Sequence, residues 1–306
     1  MEEAPPRAPR GVLWEGVMDI RTIVVGVDGS PASDTAVDWG AAEAVRRGVP
    51  LEVLHTLAAH SLAAVPAGGA PPLIDDDEHE DVLDAAAARA RASFPGISVI
   101  TRSETRDPAS ALIDRSTGAE LVVVGAHGKG LLARFLLGSV SHRVSSHALC
   151  PAVVVHRTVG AEGLPVAVGV DGSPGSDAAL ALAIEEAQLR HVPLLVVHGW
   201  QPAPVSGFDA LPVSQEVIDA QHDVARLVVE HAVAAAREAA PGLEVRYAVS
   251  PTGPVLALDT ESVGAQLLVV GAHGHQGLSG VAFGSVTSAV VDGAQCPVMV
   301  APAPAA

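Results

Sequence analysis

Four segments of this chain occur twice, in the same order and at nearly the same spacing, and no other feature restricts its fold so tightly. IVVGVDGSPASDTAV from Ile23 returns as VAVGVDGSPGSDAAL from Val166, and LEVLHTL from Leu51 returns as LLVVHGW from Leu194. Asp28 and Asp171, like His55 and His198, stand 143 residues apart. LVVVGAHG from Leu121 and LLVVGAHG from Leu267 are offset by 146, as are Cys150-Pro151 and Cys296-Pro297. The second copy therefore carries three extra residues between its second strand and its GAHG segment, and such insertions belong in loops. A period of this length is that of a duplicated domain, with the boundary in the Gly- and Pro-containing stretch 156–165.

Within each copy, apolar runs of five to seven residues rich in Val and Leu alternate with longer Ala-rich segments of helical spacing. Continuous apolar strands belong to a parallel sheet covered on both faces. The pattern predicts strands near 21–27, 50–56, 97–102, 120–125 and 152–156, and helices near 32–47, 78–93, 108–117 and 139–148. In the second copy, strands fall near 165–170, 193–199, 243–249, 266–271 and 297–301, and helices near 175–190, 214–239, 254–264 and 285–294. Alternating elements imply right-handed crossovers and an α/β, doubly wound fold in each copy.

Composition narrows the function. The 306 residues suit two domains, and 49% apolar against 17% charged residues excludes a disordered chain. Aromatics at 3% disfavour base stacking, and a net charge of −17 repels phosphate polymers and anionic lipid surfaces, so neither nucleic acid nor membrane is expected as a partner. No stretch reaches the ~18 consecutive apolar residues of a membrane span. Residues 1–19 lack an apolar export core and are expected to be an unstructured extension. Cys150 and Cys296 form no disulfide framework and read as buried thiols in a reducing cytoplasm, the expected location.

In doubly wound sheets a ligand sits beyond the carboxyl ends of the strands. Asp28 and Asp171 end the first strands inside GVDGSP, where a ligand contact and a helix-capping role are both open. After the fourth strands come Gly125-Ala-His-Gly128, nine residues, then Gly138-Ser139, and Gly271-Ala-His-Gly274, nine residues, then Gly284-Ser285. Glycines let the backbone turn sharply and approach a ligand. The Gly-Ser pairs open helices, whose N–H groups and dipole attract anions. A phosphate chain fits between two such turns.

This spacing resembles that of the universal stress protein family in its tandem form, over residues 20–157 and 163–303. The resemblance implies a five-stranded parallel sheet in each domain with strand order 3-2-1-4-5, and ATP with Mg2+ at each motif. It also implies that Asp28 and Asp171 meet the nucleoside, beside Gly26 and Gly169, and that main-chain groups at Thr56 and Gly199 edge the adenine. Val124, Gly125, Gly128, Gly138, Ser139 and Val140 would line ribose and phosphates, with Val270, Gly271, Gly274, Gly284, Ser285 and Val286 in the second copy. Pairing through the fifth strand is implied as well, either between the two domains or between chains of a homodimer.

The copies differ in charge. The first nine-residue loop holds Lys129 and Arg134, with Arg143 on the next helix, whereas the second loop holds no base and Ala289 replaces the arginine. Lys129 is expected at the phosphates, and the first site is expected to hold triphosphate more tightly, since a charge-assisted contact is worth ~1.5–3 kcal/mol. The alternative is that these bases point to solvent.

His127 and His273, between the paired glycines, have no partner base or nucleophile in view and read as hydrogen-bonding residues; His55 and His198 read as strand-end residues. The acidic run 75–81 reads as a solvated helix start. There is no GxxxxGK[ST] and no metal-ligand spacing such as HExxH, so cradling a nucleotide is encoded and rapid phosphoryl transfer is not. The expected function is regulatory or stress-response ATP binding with slow or no hydrolysis. The alternatives are a slow ATPase or a nucleotide-dependent transferase, against which VDGSPASD stands where adenylating relatives carry SGGxDS, and a flavin carrier, for which only Trp200 and Phe208 offer aromatics.

Overall fold

A computed structural model describes residues 21–56, 76–126, 138–156, 163–201, 214–274 and 283–303. The first half runs β1 (Ile23–Val27), α1 (Pro31–Arg47), β2 (Leu51–Thr56), α2 (Asp76–Ser93), β3 (Val99–Glu104), α3 (Pro108–Arg115), β4 (Leu121–Gly125), α4 (Ser139–His147) and β5 (Ala152–Val155). The second repeats it as β6 (Val166–Gly169), α5 (Pro174–Arg190), β7 (Leu194–Gly199), α6 (Gln215–Ala239), β8 (Val245–Ser250), α7 (Pro254–Ser262), β9 (Leu267–Gly271), α8 (Ser285–Gly293) and β10 (Val298–Ala301).

Local chemistry sets the helix boundaries. The Ser30 and Ser173 hydroxyls each accept from the N–H three residues on, and Pro31 and Pro174 take the first helical positions, where a missing N–H costs nothing. Helix α1 ends on Gly48 in the left-handed conformation, φ 68°. Helix α5 ends the same way on a histidine, His191, at φ 55°.

Each half has parallel neighbours, as the repeat pattern predicts, in the order 3-2-1-4-5 that the resemblance implies. The two halves are not separate sheets. Strand β5 pairs antiparallel with β10, Val154 opposite Val298 and Val153 opposite Met299, giving one ten-stranded sheet of order β3-β2-β1-β4-β5-β10-β9-β6-β7-β8. The exposed fifth-strand edge that each half would present alone is thus consumed within the chain. Alternate residues of each strand face opposite core layers. Ile23, Val25 and Val153 face one layer, and Val24, Val122 and Val154 the other, and each layer continues from one half into the next.

The third strands lie further along than the sequence predicts, at Val99–Glu104 and Val245–Ser250. Strand β3 is a largely exposed edge reading VITRSE. Ile97 packs on the core from just before it, which draws an apolarity-based boundary towards the N-terminus.

An ion cluster absent from the sequence expectations joins α1 to α5. Glu43 and Glu186 are both fully buried. Glu43 accepts from Arg47 Nε at 2.6 Å and from Arg190 Nη2 at 2.7 Å, while Glu186 accepts from both arginines. Arg190 also lies 5.8 Å over the Trp39 ring. Burial would raise the Glu43 pKa, but Arg190, Arg47 and Arg46 together hold it below the usual carboxylate value. Burial and the neighbouring Glu43 push Glu186 above it. The signal was present in sequence as Glu-x-x-x-Arg in both copies, one helical turn apart.

Candidate functional site

The carboxyl ends of β1 and β4, and of β6 and β9, bring the turn residues together by backbone packing. At the end of β4, a Cβ on Gly125 would sit 2.7 Å from the carbonyl carbon and oxygen of Ala32 in the first turn of α1. At the end of β9, Gly271 meets the Gly175 carbonyl oxygen at 2.6 Å in the same sense. Only glycine allows a strand end and a helix start to approach so closely. Beyond β9 a Cβ on Gly274 would collide with Asp171 Oδ2, so the carboxylate after β6 lies directly against the second glycine of the GAHG turn.

The same chain stretch then closes on itself. The Gly138 N–H donates to the Ala126 carbonyl and the Gly284 N–H to the Ala272 carbonyl, both at 2.9 Å, so the base of each nine-residue loop is pinned. Gly138 and Gly284 are the N-caps of α4 and α8 and supply no side chain to the helix start. Ser139 and Ser285, the first helical residues, are exposed there. Inside the helix, Ser141 Oγ donates to the Gly125 carbonyl at 2.6 Å and Thr287 Oγ1 to the Gly271 carbonyl at 2.7 Å. These two hydroxyls tie each uncapped helix start to its strand end. Their signal, a hydroxyl residue two after each Gly-Ser serine, was legible and was missed.

The aspartates have a structural duty as well. Asp28 Oδ1 accepts from the Ser30 N–H and Asp171 Oδ1 from the Ser173 N–H, each at 3.0 Å, which shapes the turn into α1 and α5. The caps proper are the two serines. His55 and His198 are strand-end residues with a specific task. Their Nδ1–H groups donate to the Val27 and Val170 carbonyls at 2.7 Å, fixing the backbone just before each aspartate.

The remaining residues divide. Gly26 and Gly169 face Leu112 and Leu258, with Cβ distances of 2.8 Å and 3.0 Å, so helices α3 and α7 pack onto them. Val124 and Val270 are buried in the core, leaving only their main chain to the site. Val140 and Val286 pack partly against the same layer. Thr56 and Gly199 end β2 and β7, and Gly199 abuts Gly253 and Pro254. Gly128, Lys129, His127 and Arg134 lie outside the described residues. Arg143 is engaged away from the glycines: it pairs with Asp107 at 2.9 Å and donates to Ser110 Oγ at 3.2 Å.

The two thiols are removed from any chemistry here. Cys150 and Cys296 are buried, and burial pushes both up to about 12. No described helix is long and apolar enough to cross a membrane.

Two inverted doubly wound halves, each with a glycine at its fourth-strand end and a glycine-capped helix start after it, define a doubly wound α/β protein, a class in which ligands are generally met beyond the carboxyl ends of the strands. The chain belongs to the universal stress protein family, which residues 19–156 and 164–302 each match. A universal stress protein of Mycobacterium tuberculosis (strain H37Rv) is 37% identical over 292 residues, covering 91% of this chain and 96% of that protein. The fold is that of a universal stress protein from Archaeoglobus fulgidus, at a TM-score of 0.64 and 19% identity, covering 92% of this chain and 98% of the other. A shorter universal stress protein from the same organism, solved in complex with dAMP, aligns with 45% of this chain at 25% identity and a TM-score of 0.34.

Proposed function

We propose that each half binds ATP, with Mg2+, across its glycine turns, and that the protein acts in regulation or stress response through the bound nucleotide with slow or no hydrolysis. The observation that carries this reading is the placement of Asp171 against Gly274, with the side-chain-free start of α8, ten residues on, hydrogen-bonded back to Ala272. A carboxylate suits ribose hydroxyls, and an uncapped helix start suits phosphate. Because the chain carries −17, the phosphates must be held by local main-chain donors and few placed charges. Lys129 in the first half is one such charge, while the Arg143 pairing with Asp107 removes a second from the comparison between the sites. Cytoplasmic location and the absence of nucleic acid and membrane partners are part of the same reading.

The test is isothermal titration of the full chain with Mg·ATP, together with chromatography of nucleotide released on denaturation. Two sites are expected in the unaltered protein. Gly274→Leu, whose side chain meets Asp171, is expected to leave one site, and released nucleotide is expected to be ATP. Undiminished stoichiometry in Gly274→Leu counts against the assignment of that turn, and released ADP favours the slow ATPase.

A further inference from the structure

We propose that two copies of this chain associate through the outward flank of α6, the two helices packing antiparallel about a two-fold axis. Helix α6 carries two stripes. Ala225, Val229, Ala232 and Ala236 are buried against the sheet. On the side turned away from them, Val217, Ala220, Val224, Leu227, His231 and Ala234 recur at alternating intervals of three and four residues. That is the heptad spacing of a helix that packs along a second helix. All six are exposed, Val224 and Leu227 at 63% each.

The duplication marks this stripe as particular to the second half. Val229, Ala232 and Ala236 stand where α2 has Leu83, Ala86 and Ala90, and all of these are core residues, which fixes the alignment of the two helices. In that alignment Val224 and Leu227 replace Glu78 and Asp81 of the first copy. Ala235 replaces Arg89, which pairs with Asp38 of α1 at 2.6 Å, and Ala181 replaces Asp38 itself. The first half thus presents charge to water where the second presents Val, Leu and Ala. A contiguous apolar row of this kind marks an interaction surface.

The charges choose the occupant. Asp223 and Arg237, both exposed, border the stripe on one flank, at equal distances in sequence on either side of Glu230. Two α6 helices laid antiparallel with the axis beside Glu230 bring each Asp223 to the partner's Arg237, while Leu227 meets the partner's His231 and Val224 the partner's Ala234. A parallel pair, in which each residue lies level with its own copy, forms neither ion pair. Glu230 meets its own copy near the axis, and its charge is already offset by Arg226 at 2.9 Å within the helix. A flank that complements itself in this way is the property of an isologous interface between identical chains. The fifth strands do not compete for the role, because β5 and β10 already pair within the chain. A helix of 25 residues is about 37 Å long. A single pair of such helices is small beside the ~800 Å² per partner of a standard interface, so the dimer is a weak one that forms at micromolar concentration.

Sedimentation velocity of the full chain from ~1 to ~300 μM tests this, since an association of this kind is read from its concentration dependence. A reversible monomer–dimer equilibrium is expected. Val224→Glu combined with Leu227→Asp, which restores the residues of the first copy at two exposed positions, is expected to leave a folded monomer throughout, with far-UV circular dichroism unchanged. Asp223→Arg is expected to weaken the dimer at least fivefold, and adding Arg237→Asp to it is expected to restore the affinity to within about twofold. A monomer at every concentration overturns the proposal, as does a dimer that the Val224 and Leu227 changes leave intact. Failure of the charge exchange to restore association overturns the antiparallel arrangement and the proposal with it. If the Val224 and Leu227 changes disturb folding, the charge exchange decides. None of these readouts involves nucleotide, so this surface and the proposed ATP sites stand or fall separately.

Discussion

Asp107 caps α3, accepting from the Ser110 N–H at 2.9 Å and from the Ser110 hydroxyl at 2.8 Å, with Arg143 beside it. The Ser110 backbone bond is the largest reason that its pKa lies below the usual carboxylate value, with the Ser110 hydroxyl and Arg143 adding to it and burial opposing. A carboxylate lowered in this way contributes stability above its unfolded pKa and loses it as pH falls through the folded value. Asp107→Ala is therefore expected to cost about 1 kcal/mol at pH 7, with the gap to the unaltered protein closing below pH 3.8 as urea unfolding is repeated in acid. At this scale much of the site was legible. The spacing of Gly125, Gly138, Gly271 and Gly284 was readable, but not its packing cause, the approach of Ala32 and Gly175 across some 90 residues of chain, because nothing local records it. For Asp28 and Asp171 the sequence left a ligand contact and a capping role open, and the structure gives each a turn-forming bond to the serine two residues on.

Among the elements, most helices and strands follow from period, Ser-Pro caps and Val-rich runs, and the exceptions are edge strands. Strand β3 is largely solvent-facing and β8 has no fully buried residue, so their apolar pattern is weak and their bounds are set by register with β2 and β7 instead. The opposite holds for β5 and β10, whose four residues each are all buried. Pairing through these strands was implied by resemblance, and the pairing within the chain emerges only from the structure. Strand β10 pairs with β9 on one side and with β5 on the other, so the second half expressed alone (residues 163–303) leaves the outer edge of Val298–Ala301 bare and apolar. It is expected to self-associate, and light scattering coupled to size exclusion checks this; a stable monomer would show that another segment covers the edge.

At the level of the whole molecule, the contacts between the halves among the described residues include two unlike joints, the β5–β10 ladder and the Glu43–Arg47–Glu186–Arg190 cluster. The two glutamates are equivalent by duplication, yet the surrounding arginines hold the Glu43 pKa below the usual carboxylate value while burial and the neighbouring Glu43 push that of Glu186 above it. Relative to Glu43→Gln, the unaltered protein is expected to lose stability as pH falls below 4.5, because a lowered carboxylate pKa is lost in acid. Relative to Glu186→Gln, it is expected to gain stability as pH falls towards 4.5, because the folded state takes up the proton first. At pH 7, where Arg190, Arg47 and Arg46 hold Glu43 ionised, Glu43→Gln is expected to cost roughly 1.5–3 kcal/mol for a lost charged hydrogen bond. Equal slopes for the two variants in urea unfolding between pH 4 and 7 would contradict this picture. The antiparallel joint has one more consequence. Because strands run parallel within each half and reverse at β5–β10, the glycine turns of the first half open at one rim of the sheet and those of the second at the opposite rim. The two sets of turns are accordingly displayed back to back, one at each rim of a single continuous sheet.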